Sequence, residues 1–329
     1  MSVPPILAAA LLAAGLMAAT VDPGHTQAPG IRLPEAVRPF PPGLSGTLVF
    51  ESDVAGRPAI YTLALDTGSV TTLAGDPGFT SSTPRWSPDG RRVAFSSNRA
   101  HYDGATPETG TADMDIWVID ATGGGLSRIT RDPANESDPT WAPDGRSLVY
   151  SSDRDSRGDL YRVVMATGEV TRLTRHFVGR AIMPAAAPDG ARIAFAAQSL
   201  RAGAFWGYQV HVLGANGEAP ALTTTVGGCW PSWSPDGRSL AHVRLPAGEP
   251  SSLELRDGPQ LGHSRVLKAE SLWSYYPRWS PDGARLSFSV SPAHHEGENW
   301  DLAVIDVQSG AWTRLTRGPG NDRLADWKK

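Results

Sequence analysis

The sequence predicts an all-β protein, a six-bladed β-propeller with four antiparallel strands per blade, and three observations predict it. The phrase Trp-Ser-Pro-Asp-Gly or a close copy occurs five times, starting at Trp86, Trp141, Ala186, Trp233 and Trp279. Its prolines, 88, 143, 188, 235 and 281, lie 55, 45, 47 and 46 residues apart, a period that belongs to repeat folds in which each unit is one small sheet. Incomplete copies stand at the two ends, and each supplies what the other lacks.

Each unit carries four strands in order, most clearly in the stretch 137–174. Ser137-Asp138-Pro139-Thr140-Trp141 is a short strand, Pro143-Asp144-Gly145 a turn, and Ser147-Leu148-Val149-Tyr150-Ser151 a strand rich in β-branched and aromatic residues. A polar turn over 153–158, a strand over 159–164, an Ala-Thr-Gly turn and a strand over 170–174 complete it. Gly takes the positive φ of the tight turn without a Cβ penalty, and Asp hydrogen-bonds its own backbone. The Trp supplies apolar area for packing blade on blade, so Trp86, Trp141, Trp233 and Trp279 are packing residues. Blade four has Ala186 in that place, and Met183 or Phe205 is expected to fill the volume.

At the N-terminal end, residues 46–52, 60–63 and 70–73 match the second, third and fourth strands of a unit, with no first strand before them. Leu324-Ala325-Asp326-Trp327 repeats the first-strand pattern and stops before any turn. The C-terminal strand is therefore expected to become the inner strand of blade one, closing the ring and removing an open sheet edge.

The composition bounds the function. Formal net charge is -4 and pI about 6.1, so no basic field exists to hold nucleic acid. The 35 glycines and 28 prolines are spread between regularly spaced apolar runs, which reads as many turns rather than disorder. Cys229 is the only cysteine, which excludes an internal disulfide and a Cys-based zinc site. The domain reading is a signal peptide or N-terminal anchor over 1–20, a Pro-rich linker over 21–45 and the propeller over 46–329. The apolar stretch 6–19 is short for a membrane span and suits a signal-peptide core, so the expected location is periplasmic or secreted, with membrane attachment only through an uncleaved N-terminus.

Units of the type Pro-x-Trp-Ser-Pro-Asp-Gly-Arg-x-Val-Ala-Phe-Ser-Ser, followed by Asp-Ile-Trp-Val-Ile-Asp and Arg-Ile-Thr, resemble the propeller repeats of the TolB family from Gly46 to Trp327. The resemblance implies a periplasmic scaffold that binds another protein at one mouth of the ring; since no nucleophile is placed with a base in the sequence, a non-enzymatic protein- or peptide-binding role and a monomer are expected. TolB itself carries an α/β domain ahead of its propeller, whereas here only the Pro-rich stretch precedes Gly46. A prolyl-oligopeptidase-like reading would need a Gly-x-Ser-x-Gly elbow, which the sequence lacks.

Candidate binding residues come from departures from the repeat. Just before the Trp position, only blades two, six and one carry charge, at Arg85, Arg278 and Asp326. These either form a positive pocket for a carboxylate or brace the closure as an ion pair. Trp273 and Tyr275, in the link before blade six, are expected as exposed aromatic anchors on the same rim, with Tyr276 and Trp230 more buried. No cofactor is required. Insertions over 100–113 and 291–299 place His101, Asp103, His294 and Glu296 where a divalent metal could be held for a hydrolase or lyase acting on glycan or peptide; the alternative is a solvated polar loop.

Overall fold

A computed structural model describes residues 33–328, apart from 77, 100–113, 156–157, 202–203, 219–220, 223–226, 270 and 294–298. Six four-stranded antiparallel sheets follow one another in order, as the repeat predicts. In blade two, for example, Ser81–Trp86, Arg92–Ser97, Asp115–Asp120 and Ser127–Arg128 run from the inner to the outer strand. Blade one takes its inner strand from the C-terminus: Asp322–Lys328 pairs with Thr47–Ser52, placing Trp327 opposite Leu48 and Asp326 opposite Val49.

The apolar core lies between blades. Val49, Ile60 and Leu73 of blade one meet Trp86, Phe95 and Ile119 of blade two, and Leu302, Val304 and Leu315 of blade six meet Leu48, Phe50 and Trp327. The Trp indoles also bond across these seams: Trp141, Trp233 and Trp279 each donate Nε1–H at 3.1 Å to the carbonyl of the residue before the Trp position one blade back. Trp327 donates instead to Ser45 O at 3.0 Å. Guanidinium groups cover two of the rings, Arg92 over Trp141 at 4.8 Å and Arg192 over Trp233 at 4.3 Å.

The Pro-Asp-Gly turns are built as their residues dictate. In blade two, Ser87 Oγ donates to Asp89 at 2.6 Å and accepts from Arg92 N at 2.9 Å, while Gly90 holds a φ of 66°. A second repeated device ties the outer strand on: Asp115, Asp159 and Asp301 pair with Arg128, Arg172 and Arg314. Thr130, Thr174 and Thr316 accept the backbone N–H that follows each Asp.

Residues 33–45, read as the end of an extended linker, lie against the ring. Glu35–Ala36 pairs with Thr316–Arg317, and Leu33, Ala36 and Phe40 pack on the apolar seam between blades six and one. Ala186 opens onto the central cavity, and Met183 faces another cavity, so Met183 does not replace the missing indole. The side chain of Phe205 lies outside the described residues.

Candidate functional site

Every inner strand carries the same irregularity, a bulge three residues before the Trp position. Thr83, Asp138, Met183, Trp230, Tyr276 and Leu324 occupy it, all with φ between 52° and 61°. Proline follows in five of the six, which suits an edge strand whose ladder is interrupted there. The bulge N–H finds a partner on the previous blade: Thr83 N donates to Glu51 Oε2 at 3.2 Å and Met183 N to Ser151 Oγ at 3.2 Å. Because two residues then oppose one, the alternation of faces along the strand is shifted past the bulge.

One end of the inner strands, where the Pro-Asp-Gly turns lie, surrounds a cavity of about 500 Å3 to which all six blades contribute. Arg85, Arg278 and Asp326 line it, so the structure brings these three together. Both arginines are nearly buried, 6% and 8% exposed. Their hydrogen bonds run to main-chain carbonyls: Arg85 Nη1 to Pro84 O at 2.7 Å, and Arg278 Nη1 to Pro231 O at 2.8 Å and Pro277 O at 3.3 Å. Asp326 does not clasp Arg85 as an ion pair; its Oδ2 accepts the backbone N–H of Trp86 at 2.7 Å.

Burial, reinforced by the charge of Arg85, brings Arg278 down to about 9. Burial also lowers Arg85, against the pull of Asp326, Asp138 and Glu51. Asp138 does not line the cavity but lies close enough for its charge to act on both guanidiniums, a relation the sequence pattern did not suggest. Burial pushes its carboxyl up, while Arg85 and Arg278 draw it down. In blade three the residue immediately before Trp141 is the neutral Thr140, and the charge sits instead on the bulge, at Asp138. The X-Pro pair repeated in each inner strand is the signal that could have found it.

Trp273 and Tyr275 belong elsewhere. Trp273 begins the inner strand of blade six and Arg278 stands five residues on, about 15 Å away at strand rise. The charged and aromatic residues therefore lie toward opposite ends of the strands, not on one rim. Tyr275 is also buried, 5% exposed, against Trp300 with ring centroids 5.5 Å apart. The bulge turns Tyr275 between the blades, and it leaves Tyr276 and Trp230 half-buried, as expected, on the wall of a second cavity that Tyr275 also reaches. The metal candidates His101, Asp103, His294 and Glu296 lie outside the described residues.

A ring of six such blades with a charged central cavity defines the class, a six-bladed propeller built on Pro-Asp-Gly repeats. Residues 54–226 match the family model described as the TolB beta propeller domain, and the chain belongs to that family. The Tol-Pal system protein TolB of Francisella tularensis subsp. tularensis (strain WY96-3418) is 28% identical over 210 residues, 63% of this chain and 45% of that protein. The protein of the same name from subsp. mediasiatica (strain FSC147) matches with the same identity and extent. The chain thus spans about half the length of the curated relatives it matches. Among solved structures, TolB from Acinetobacter baumannii superposes with a TM-score of 0.69 at 20% identity, over 86% of this chain and 66% of that one. Putative TolB from Agrobacterium tumefaciens gives 0.62 at 14%, over 87% and 100%. An oligogalacturonate lyase in complex with manganese gives 0.52 at 18%, over 83% and 74%. At these identities the likeness is one of fold alone.

Proposed function

We propose that this chain is a non-enzymatic scaffold of the cell envelope, exported to the periplasm or secreted, that binds a protein or peptide partner at the Pro-Asp-Gly mouth of its ring. Membership of the TolB propeller family and the Tol-Pal naming of its relatives support a protein partner in the envelope. The observation that carries the choice of mouth is the pair of nearly buried guanidiniums on its cavity wall, bonded to carbonyls. A carbonyl only partly uses a guanidinium's five donors, and the remaining ones suit a carboxylate. The partner is therefore an acidic segment or a chain ending, with Arg85 and Arg278 receiving its carboxylate and Asp138 and Asp326 limiting the net charge.

The reading is tested by calorimetric titration of acidic peptides made with free and with amidated C-termini. Arg85→Ala and Arg278→Ala should each weaken binding by about 1.5–3 kcal/mol, the worth of one charge-assisted bond. Unchanged affinity in both variants, with thermal melts showing an intact fold, would move the site away from this mouth.

A further inference from the structure

The second cavity, about 720 Å3, lies toward the opposite end of the inner strands, between blades four, five and six. Its volume falls within the range of small-molecule sites, about 300–1,000 Å3. The bulge position puts three large side chains into its wall, Met183, Trp230 and Tyr276, where other blades have Thr83, Asp138 and Leu324. Trp230 and Tyr276 meet almost at right angles, 78° between planes with centroids 4.9 Å apart, and form an aromatic corner. Tyr208 and Trp273 add two further half-buried rings.

The polar chemistry of this wall is narrow. Among the described residues its one charged lining side chain is the exposed Glu249, and no Lys or Arg lines it. An anion would meet Glu249 and no lining cation among the described residues, with Lys268 at the rim and Arg180 near Tyr208 outside the lining. A pyranose would need hydrogen-bond partners for each of its hydroxyls, and the lining side chains offer only the phenols, the indole N–H groups and Glu249, with one carboxylate as the sole strong acceptor among the described residues. Aromatic rings around a cavity, with one carboxylate at the edge and few other polar groups, suit a soft cation, which is drawn to aromatic rings and needs no hydrogen bonds. Glu249 already faces Lys268 at 3.6 Å, but both are more than half exposed, and such a pair is easily exchanged for another ammonium. Arg323, near Tyr276, is held by Glu51 at 3.1 Å and so does not present an uncompensated positive charge.

The geometry points to a binding site for a quaternary ammonium group in the cavity walled by Trp230, Tyr276, Trp273 and Tyr208, with Glu249 at its rim. The ligand class is a small organic cation or a molecule bearing a trimethylammonium headgroup. This site is separate from the mouth that holds Arg85 and Arg278.

The test uses the full chain and three probes: choline, its neutral isostere 3,3-dimethylbutan-1-ol, and methyl β-glucoside. Titration calorimetry should give saturable choline binding at least about tenfold tighter than the isosteric alcohol, since only the cation gains from the ring faces. Glu249→Gln, at an exposed position, should weaken choline about threefold and leave the alcohol unchanged. Trp230→Leu should remove the preference for the cation. Equal or tighter binding of the alcohol, tighter binding of the glucoside, or no saturable choline binding in a chain whose melt is normal would each overturn the assignment.

Discussion

Asp326 Oδ2 accepts the backbone N–H of Trp86 at 2.7 Å, joining residues 240 positions apart. Thr140 makes the same contact with Ala186 N, at 3.5 Å, between blades three and four. In blades one and three the residue before the Trp position thus latches the next blade, and at the closure that latch is a carboxylate. Asp326, read from sequence as a channel charge or a brace for Arg85, acts on the backbone of the neighbouring blade.

The closure should therefore depend on this last strand. Asp326→Ala should cost about 1.5–3 kcal/mol, the worth of a bond to a charged acceptor, and Asp326→Asn, which retains a carbonyl oxygen, should cost less. Removing residues 323–329 should abolish soluble monomer or lower the melting temperature sharply, because it strips blade one of its inner strand and exposes the seam under Trp327. Urea denaturation of the three proteins checks this; a truncated chain that melts like the full one would mean that the ring is held closed without that strand.

The blade-on-blade role of the tryptophans gives a second expectation. Trp279 packs on the seam between blades five and six and donates to Ser232 O at 3.1 Å. Trp279→Ala should destabilise by about 3–5 kcal/mol, whereas Trp279→Phe keeps most of the apolar area and should lose less. Trp86 has the same place but its Nε1 finds no hydrogen-bond partner, with Lys328 Nζ 3.9 Å from its ring centroid. Trp86→Phe should accordingly cost less than Trp279→Phe, and equal losses in the two denaturation curves would remove the indole bond from the account.

Much of this fold was legible because it rests on local chemistry repeated in register. The Pro-Asp-Gly turns need Gly at positive φ and Asp at its side, the seams need Trp, and the orphan first-strand pattern at Leu324-Ala325-Asp326-Trp327 needs a partner sheet. The site was legible only in part. Alternation with a period of two assigns faces correctly along a regular strand, and each inner strand contains a bulge that breaks that alternation. Arg85, Arg278 and Asp326 were found because they lie after the bulge, counted back from Trp. Tyr275 stands immediately before the bulge, so period-two alternation misplaces it, and Asp138, on the bulge as Tyr276 is, carries a charge where that alternation does not look for one. Residues 33–45 are rich in proline and lack periodicity, and their packing comes from single apolar anchors such as Leu33 and Phe40 that leave no pattern.

Two buried carboxyls set a pH dependence. Glu136 and Asp322 stand five residues before the Trp position of their blades; burial pushes Glu136 up to about 7 and Asp322 up to about 6. A carboxyl raised by folding binds its proton more tightly in the folded state. The stability it contributes is present below the unfolded value and is lost as pH rises through the folded one. The urea midpoint should therefore fall between about pH 4 and pH 7, and Glu136→Gln with Asp322→Asn should flatten that fall. A double variant that keeps the wild-type slope would assign the dependence to other groups.

Blade five supplies the opposite sign. Five residues after the turn glycine, blades two, three, four and six place Phe95, Tyr150, Phe195 and Phe288 in the core, and Phe50 takes the same place in the second strand of blade one, but blade five has His242, paired across the sheet with Glu254. His242 is fully buried; its Nδ1 lies 2.9 Å from Val243 O, and its Nε2 has no hydrogen-bond partner, 3.9 Å from Glu254 Oε2. Glu254 is already held by Arg256 at 3.0 Å, so it offers the ring limited help. Burial is the largest influence and pushes the imidazole below its ordinary value, against the pull of the Val243 carbonyl and Glu254. The unfolded chain then takes up a proton that the folded ring resists, so stability is lost as pH falls below about 6.5. His242→Phe restores the aromatic used by the other blades and relieves an unsatisfied buried nitrogen, which should stabilise by about 1 kcal/mol at pH 8. The gap between variant and wild type should widen by up to about 1.4 kcal/mol for each pH unit below 6.5, as read from urea midpoints across the range. A constant gap would mean that His242 is protonated as readily in the folded chain as in the unfolded one, and a negative gap that the larger ring does not fit the site.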